Sequence, residues 1–233
     1  MTTYVLVHGA WSGAHTWRKV RPLLRAAGHE VFTPSLTGLG ERVHLSSPQV
    51  RLSTHVQDVV NMLEFEDLRD VVLLGYSYGG MVVTGALEYI ADRVAHLVYL
   101  DAFVPPDGQS LFSMTGQNPE MHFGQDWLVP PMPRTFDDPA EAEWATPRRT
   151  PHPRACFTEP VRLAQPLEQY DFTRTYIKAT IPPRAAEGGN ESFWVAAEHA
   201  RNSALWRYAE IETNHMIANN KPEELTELLL ELA

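Results

Sequence analysis

Val71-Val-Leu-Leu-Gly-Tyr-Ser-Tyr-Gly-Gly80 decides how this chain is read. An apolar, β-branched run stops at Gly75-Tyr-Ser-Tyr-Gly79, and a small-residue helical pattern follows from Gly80 to Ile90. Strand, sharp turn and helix in immediate succession are what a nucleophile elbow requires. So tight a turn strains its central residue, and the residues two before and two after must be small for strand and helix to meet. Gly75 and Gly79 meet that demand. Ser77 is then placed at the positive end of a helix dipole with its oxygen above the sheet, which makes it the candidate nucleophile. The competing reading is an ordinary strand-to-helix turn that happens to contain serine.

Working outward, 233 residues suit one well-filled domain with a modest insertion. A net charge of −10 argues against a nucleic-acid partner, which would need a basic face. Cys156 is the only cysteine, so no internal disulfide forms and nothing calls for an oxidising compartment. The first residues run straight into a strand pattern without a secretion signal, and no apolar run has bilayer-spanning length. The expectation is a cytoplasmic protein without membrane contact; a homodimer is left open.

Tyr4–Gly9 reads as a strand buried on both faces, residues 15–27 as an amphipathic helix closed by Gly28, and Glu30–Thr33 as a brief strand. Residues 35–52 read as loop, and Ser53 as the N-cap of a helix with Val56, Val59, Val60 and Leu63 on one stripe. After the elbow come a strand at Val94–Leu100, a second at Arg174–Thr180, a helix at Glu191–Arg201, a strand at Leu205–Ile211 and a helix at Pro222–Leu232. This alternation predicts a mostly parallel α/β sheet of about six strands with helices on both faces. Between them, residues 105–169 are rich in Pro and aromatics with no sustained period. Too long for a structureless connection, they read as a lid with short helices over the active-site end, leaving 1–104 and 170–233 as the core.

In open α/β sheets ligands bind at the carboxyl ends of strands, so partners for Ser77 belong there. His215, in Thr213-Asn-His-Met216 after the last strand, is the candidate base, because a serine hydroxyl needs an imidazole to take its proton. His8-Gly9-Ala10-Trp11 after the first strand offers the Ala10 amide, which with that of Tyr78 would form an oxyanion hole; Gly9 leaves room for substrate. For the acid, the loop after Thr180 offers no Asp; Glu187 is preferred there, and Asp101, at the end of the preceding strand, is its rival. Trp11, Phe103, Trp127 and Met216 are candidates for an apolar pocket, though core packing accounts for any of them individually.

Val5-Leu-Val-His-Gly-Ala10, Gly75-Tyr-Ser-Tyr-Gly-Gly80 and Asn214-His-Met216 together resemble the α/β-hydrolase superfamily, where the order nucleophile, acid, histidine also fits. More narrowly the chain resembles plant methyl-ester esterases and hydroxynitrile lyases, and bacterial carboxylesterases of the pyrethroid-hydrolase kind. The resemblance implies the α/β-hydrolase fold, a Ser-acid-His triad, no metal or other cofactor, and hydrolysis of small, largely apolar esters through an acyl-enzyme. The lyases carry Thr where this chain has Gly9 and Lys where it has Met216, so both positions look like the esterases. A lyase or cyclase using the same triad and a non-catalytic small-molecule receptor are the alternatives. A carboxylate-nucleophile dehalogenase is disfavoured by Ser77.

Overall fold

The structure is a computed structural model that describes residues 1–116, 126–184 and 191–232. Strand β1 (Thr3–Val7) is followed by helix α1 (Val20–Ala26), strand β2 (Glu30–Phe32), helix α2 (Leu52–Phe65), strand β3 (Val71–Tyr76), helix α3 (Gly79–Ile90) and strand β4 (Val94–Leu100). After a long connection come β7 (Thr173–Ala179), α7 (Glu191–Asn202), β8 (Arg207–Ile211), α8 (Ile217–Asn220) and α9 (Pro222–Leu230). Within the connection lie α4 (Leu111–Thr115), α5 (Pro139–Ala145), α6 (Ala155–Thr158) and a two-residue antiparallel ladder of β5 (Leu128–Val129) with β6 (His152–Pro153).

Six strands pair in the order β2-β1-β3-β4-β7-β8, and every pairing is parallel. Strands covered on both faces must be apolar throughout, which is why β3 and β4 read as continuous hydrophobic runs. Side chains alternate between the faces. Val5, Val7, Leu73, Leu97 and Tyr99 join the core beneath α2, α3 and α7, whereas Tyr4, Leu6, Val72, Leu74, Val98 and Leu100 join the core beneath α1 and α9. No helix among the described residues is long and apolar enough to cross a membrane.

Three local expectations are corrected. The helix expected over 15–27 divides into a 3₁₀ turn at Ala14–Trp17 and α1. Pro22 has no N–H to give to a carbonyl one turn earlier, so it is tolerated only in a first turn, and the helix restarts at Val20. The loop over 35–52 holds a 3₁₀ stretch, Gly40–Leu45. Ser53 does not cap α2, which starts two residues earlier than that cap would place it, with Arg51 as N-cap. Its amide and hydroxyl instead donate to Glu159 of the connection, at 2.7 and 3.1 Å.

Candidate active site

The turn after β3 is as tight as its glycines imply. Ser77 sits at φ 57°, a left-handed conformation that costs an L-residue energy and persists only where its surroundings enforce it. A Cβ on Gly75 would lie 2.6 Å from Val83 Cγ2, and one on Gly79 would lie 2.7 Å from the Val7 carbonyl oxygen. Gly80 is tighter still: its Cβ would stand 2.1 Å from the carbonyl oxygen of Phe103. Backbone bonds fix the turn to β4, Ser77 N–H donating to Leu100 O at 3.2 Å and Phe103 N–H to Ser77 O at 3.2 Å.

Ser77 Oγ lies 2.9 Å from His215 Nε2, and His215 Nδ1 lies 2.7 Å from Asp101 Oδ2. The carboxylate at the histidine is therefore Asp101, the rival in the sequence reading; the preferred Glu187 lies outside the described residues. Asp101 stands at φ 40° immediately after β4, its amide donating to Ile177 O of β7 at 2.7 Å, so two strands aim its side chain. Its other oxygen accepts from Lys178 Nζ at 2.7 Å, an ion pair with both side chains buried. Burial alone would raise the Asp101 pKa, but the hydrogen bond and charge of His215, with Lys178, overcome it and hold the carboxyl below its usual range.

The His215 ring is held between Phe193, stacked at 5.3 Å, and Tyr76, at 4.9 Å, whose hydroxyl donates to the His215 carbonyl at 2.5 Å. Burial lowers its pKa, Asp101 opposes that, and Arg134 and Lys178 add to it. A neutral imidazole at ordinary pH is the form that accepts a proton from serine. The amides of Ala10 and Tyr78 donate to no other group among the described residues, as an oxyanion hole requires.

Behind Tyr78 lies a group that the sequence reading missed. His55 Nδ1 meets Tyr78 Oη at 2.9 Å and its Nε2 meets Thr37 O at 2.8 Å, while His152 Nδ1 accepts the Trp11 N–H at 3.3 Å. Burial holds His8 down to about 3 and His55 to about 4, so both are neutral. The ligand atoms of His55, His152 and Cys156 lie within 4.8 Å of one another. Both His55 nitrogens are already engaged and burial pushes the Cys156 thiol up, so the set is a packed cluster supporting Tyr78 and the Trp11 amide rather than an open metal site. His55 interrupts the apolar stripe of α2, which was its only trace in the sequence.

A cavity of about 650 Å³ opens over Ser77, walled by Phe103, Phe112, Val129, Phe157, Phe193 and Met216 among others. Trp11 lines it and also ties the β1 loop to the connection, its indole N–H donating to Val129 O at 2.9 Å. Gly9 lines a smaller niche that also reaches Ser77. Trp127 lines neither; its backbone carbonyl accepts the Arg154 N–H at 2.7 Å. An aromatic side chain in an irregular segment has no period to say which way it faces.

The model of the Alpha/beta hydrolase family matches residues 4–228. The chain is 36% identical, over 255 aligned positions spanning 100% of both proteins, to a carbendazim hydrolyzing esterase from Nocardioides sp. (strain SG-4G). It is 31% identical to salicylic acid-binding protein 2 of Nicotiana tabacum over 126 positions, 54% of this chain and 48% of that protein. Among solved structures, an extracellular alpha/beta-hydrolase from a Paenibacillus species is similar with a TM-score of 0.80 at 25% identity, covering 99% of this chain and 98% of that one.

Proposed function

The chain belongs to the alpha/beta hydrolase family, and from that premise we propose that it cleaves small, largely apolar carboxylic esters through an acyl-enzyme on Ser77. The observation that carries this reading is the continuous hydrogen-bonded line from Ser77 Oγ through His215 to Asp101, 2.9 and 2.7 Å. His215 takes the hydroxyl proton as Ser77 attacks the ester carbonyl, and the Ala10 and Tyr78 amides receive the oxyanion. The imidazolium gives that proton to the departing alcohol; a water, activated by the same ring, then releases the acid and restores Ser77. Asp101 keeps the proton of His215 on Nδ1 and steadies the imidazolium, which makes it the acid of the triad in place of Glu187.

Residues 105–169 act as the lid that supplies selectivity, a role supported by Leu111, Phe112, Val129 and Phe157 facing the cavity over Ser77. Its apolar wall suits apolar acyl or alcohol groups, and its volume suits a small molecule. The esterase names among the relatives support the reaction class. The test is a screen of aryl and methyl esters of graded size with Ser77→Ala as control, together with fluorophosphonate labelling. Turnover and label are both expected to vanish in Ser77→Ala; turnover that persists there overturns the assignment.

A further inference from the structure

One wall of the site carries positive charge that no carboxylate neutralises. Arg134 and Arg149 line the niche of about 30 Å³ beside Ser77, between Gly9 and Met216, and Arg134 also lines the main cavity. Among the described residues neither guanidinium forms an ion pair. Arg149 donates to the Met132 carbonyl, and Arg134 has no hydrogen-bond partner there. Both are half-buried. Burial first, and then Arg134, bring Arg149 down to about 10, with Tyr76 acting the other way.

Further guanidinium charge stands nearby. Arg18 and Arg148 lie 4.0 and 4.3 Å over the Trp144 ring. Glu141, the carboxylate on this side, is already shared by Arg18 and Lys19. The gathering is local, because the chain as a whole carries −10. Two partly desolvated like charges repel unless an anion joins them, and the planar guanidinium fork matches a carboxylate in bidentate geometry. A niche of this size admits a group of one or two water volumes, as a carboxylate is.

We propose that Arg134 and Arg149 form an anion subsite, so that the preferred substrate is an ester bearing a free carboxylate that enters the niche while its ester carbonyl lies at Ser77. The inference rests on the esterase reading and narrows it: the apolar cavity takes the remainder of the molecule, and the arginine pair fixes its orientation.

The test compares monomethyl glutarate with methyl 4-carbamoylbutanoate, an ester of the same length ending in a neutral amide. Wild type is expected to favour the anion in kcat/KM by about tenfold or more, as charge-assisted hydrogen bonds give. The ratio should collapse toward one in Arg134→Gln/Arg149→Gln and survive in part in Arg134→Lys/Arg149→Lys. If the double Gln variant fails to fold, Arg134→Gln alone carries the comparison. A wild-type ratio at or below one, or one unmoved by these substitutions, overturns the subsite. Calorimetric titration of Ser77→Ala protein with glutarate separates the two readings. Arginine-dependent binding without turnover of either ester by wild type would keep the subsite and remove the esterase, whereas equal turnover of both esters would do the reverse.

Discussion

The sheet ends and the connection from residue 105 to 169 hold their functional groups by different means. Ser77, Asp101 and His215 each follow a strand; backbone bonds to neighbouring strands set Ser77 and Asp101, glycine contacts tighten the turn at Ser77, and Phe193 and Tyr76 hold His215. The connection has helices of seven residues or fewer among its described residues and one two-residue ladder. It meets the rest of the molecule largely through side chains: Trp11 to Val129, Glu159 to Ser53, and Glu141 to Arg18 and Lys19. A reacting triad tolerates little displacement, and the three proposed members lie on the part that is most closely fixed. In the proposed function, selectivity falls to the part whose side chains can change without disturbing the sheet.

That contrast can be broken at several points. Asp101→Asn should lower kcat/KM for a model ester by about 10³–10⁴-fold, because the imidazole loses its tautomer and the charge that steadies it. Glu187→Gln should leave kcat/KM within about a factor of two; a large loss there with a mild one at Asp101 would reverse the assignment of the acid. Gly80→Ala forces a Cβ against the Phe103 carbonyl and should cost about 3 kcal/mol in urea denaturation. An unchanged midpoint would mean that the rigid half is softer than its contacts imply.

On the side of the connection, Trp11→Phe removes the donor to Val129 and should cost about 1 kcal/mol, raising KM more than it lowers kcat. The smallest effect concerns pH. His215 must be neutral to act as base and its pKa is lowered by burial, so kcat/KM should fall on the acid side with a midpoint below 6.5. Lys178 contributes to that lowering. Removing a positive charge favours the imidazolium, so Lys178→Gln should move the midpoint upward in a kcat/KM pH profile; a downward shift would contradict the charge assignment.

Strand, elbow and helix over 71–90 were legible because all their determinants are contiguous: β-branched residues, two spaced glycines and a small-residue helix. His215 was legible from its place after the last strand. The choice of acid was not, because it depends on which strand end approaches the ring in space. Glu187 was favoured by position along the chain, whereas Asp101 is brought in by the pairing of β4 with β7. The break at Val20 had a local cause, Pro22, that apolar spacing overrode. Trp127 and the Arg134–Arg149 pair lie where no periodicity relates sequence to direction, so an apolar residue was credited to the pocket and two charged ones passed unnoticed.

The missing side chain of Gly80 has a mechanical meaning. Through it the first turn of α3 abuts the backbone at Phe103, and Phe103 N–H is bonded back to Ser77 O at 3.2 Å. The root of the connection is thus clamped to the elbow itself. A change that widened this contact would therefore displace Ser77 and the start of the connection together.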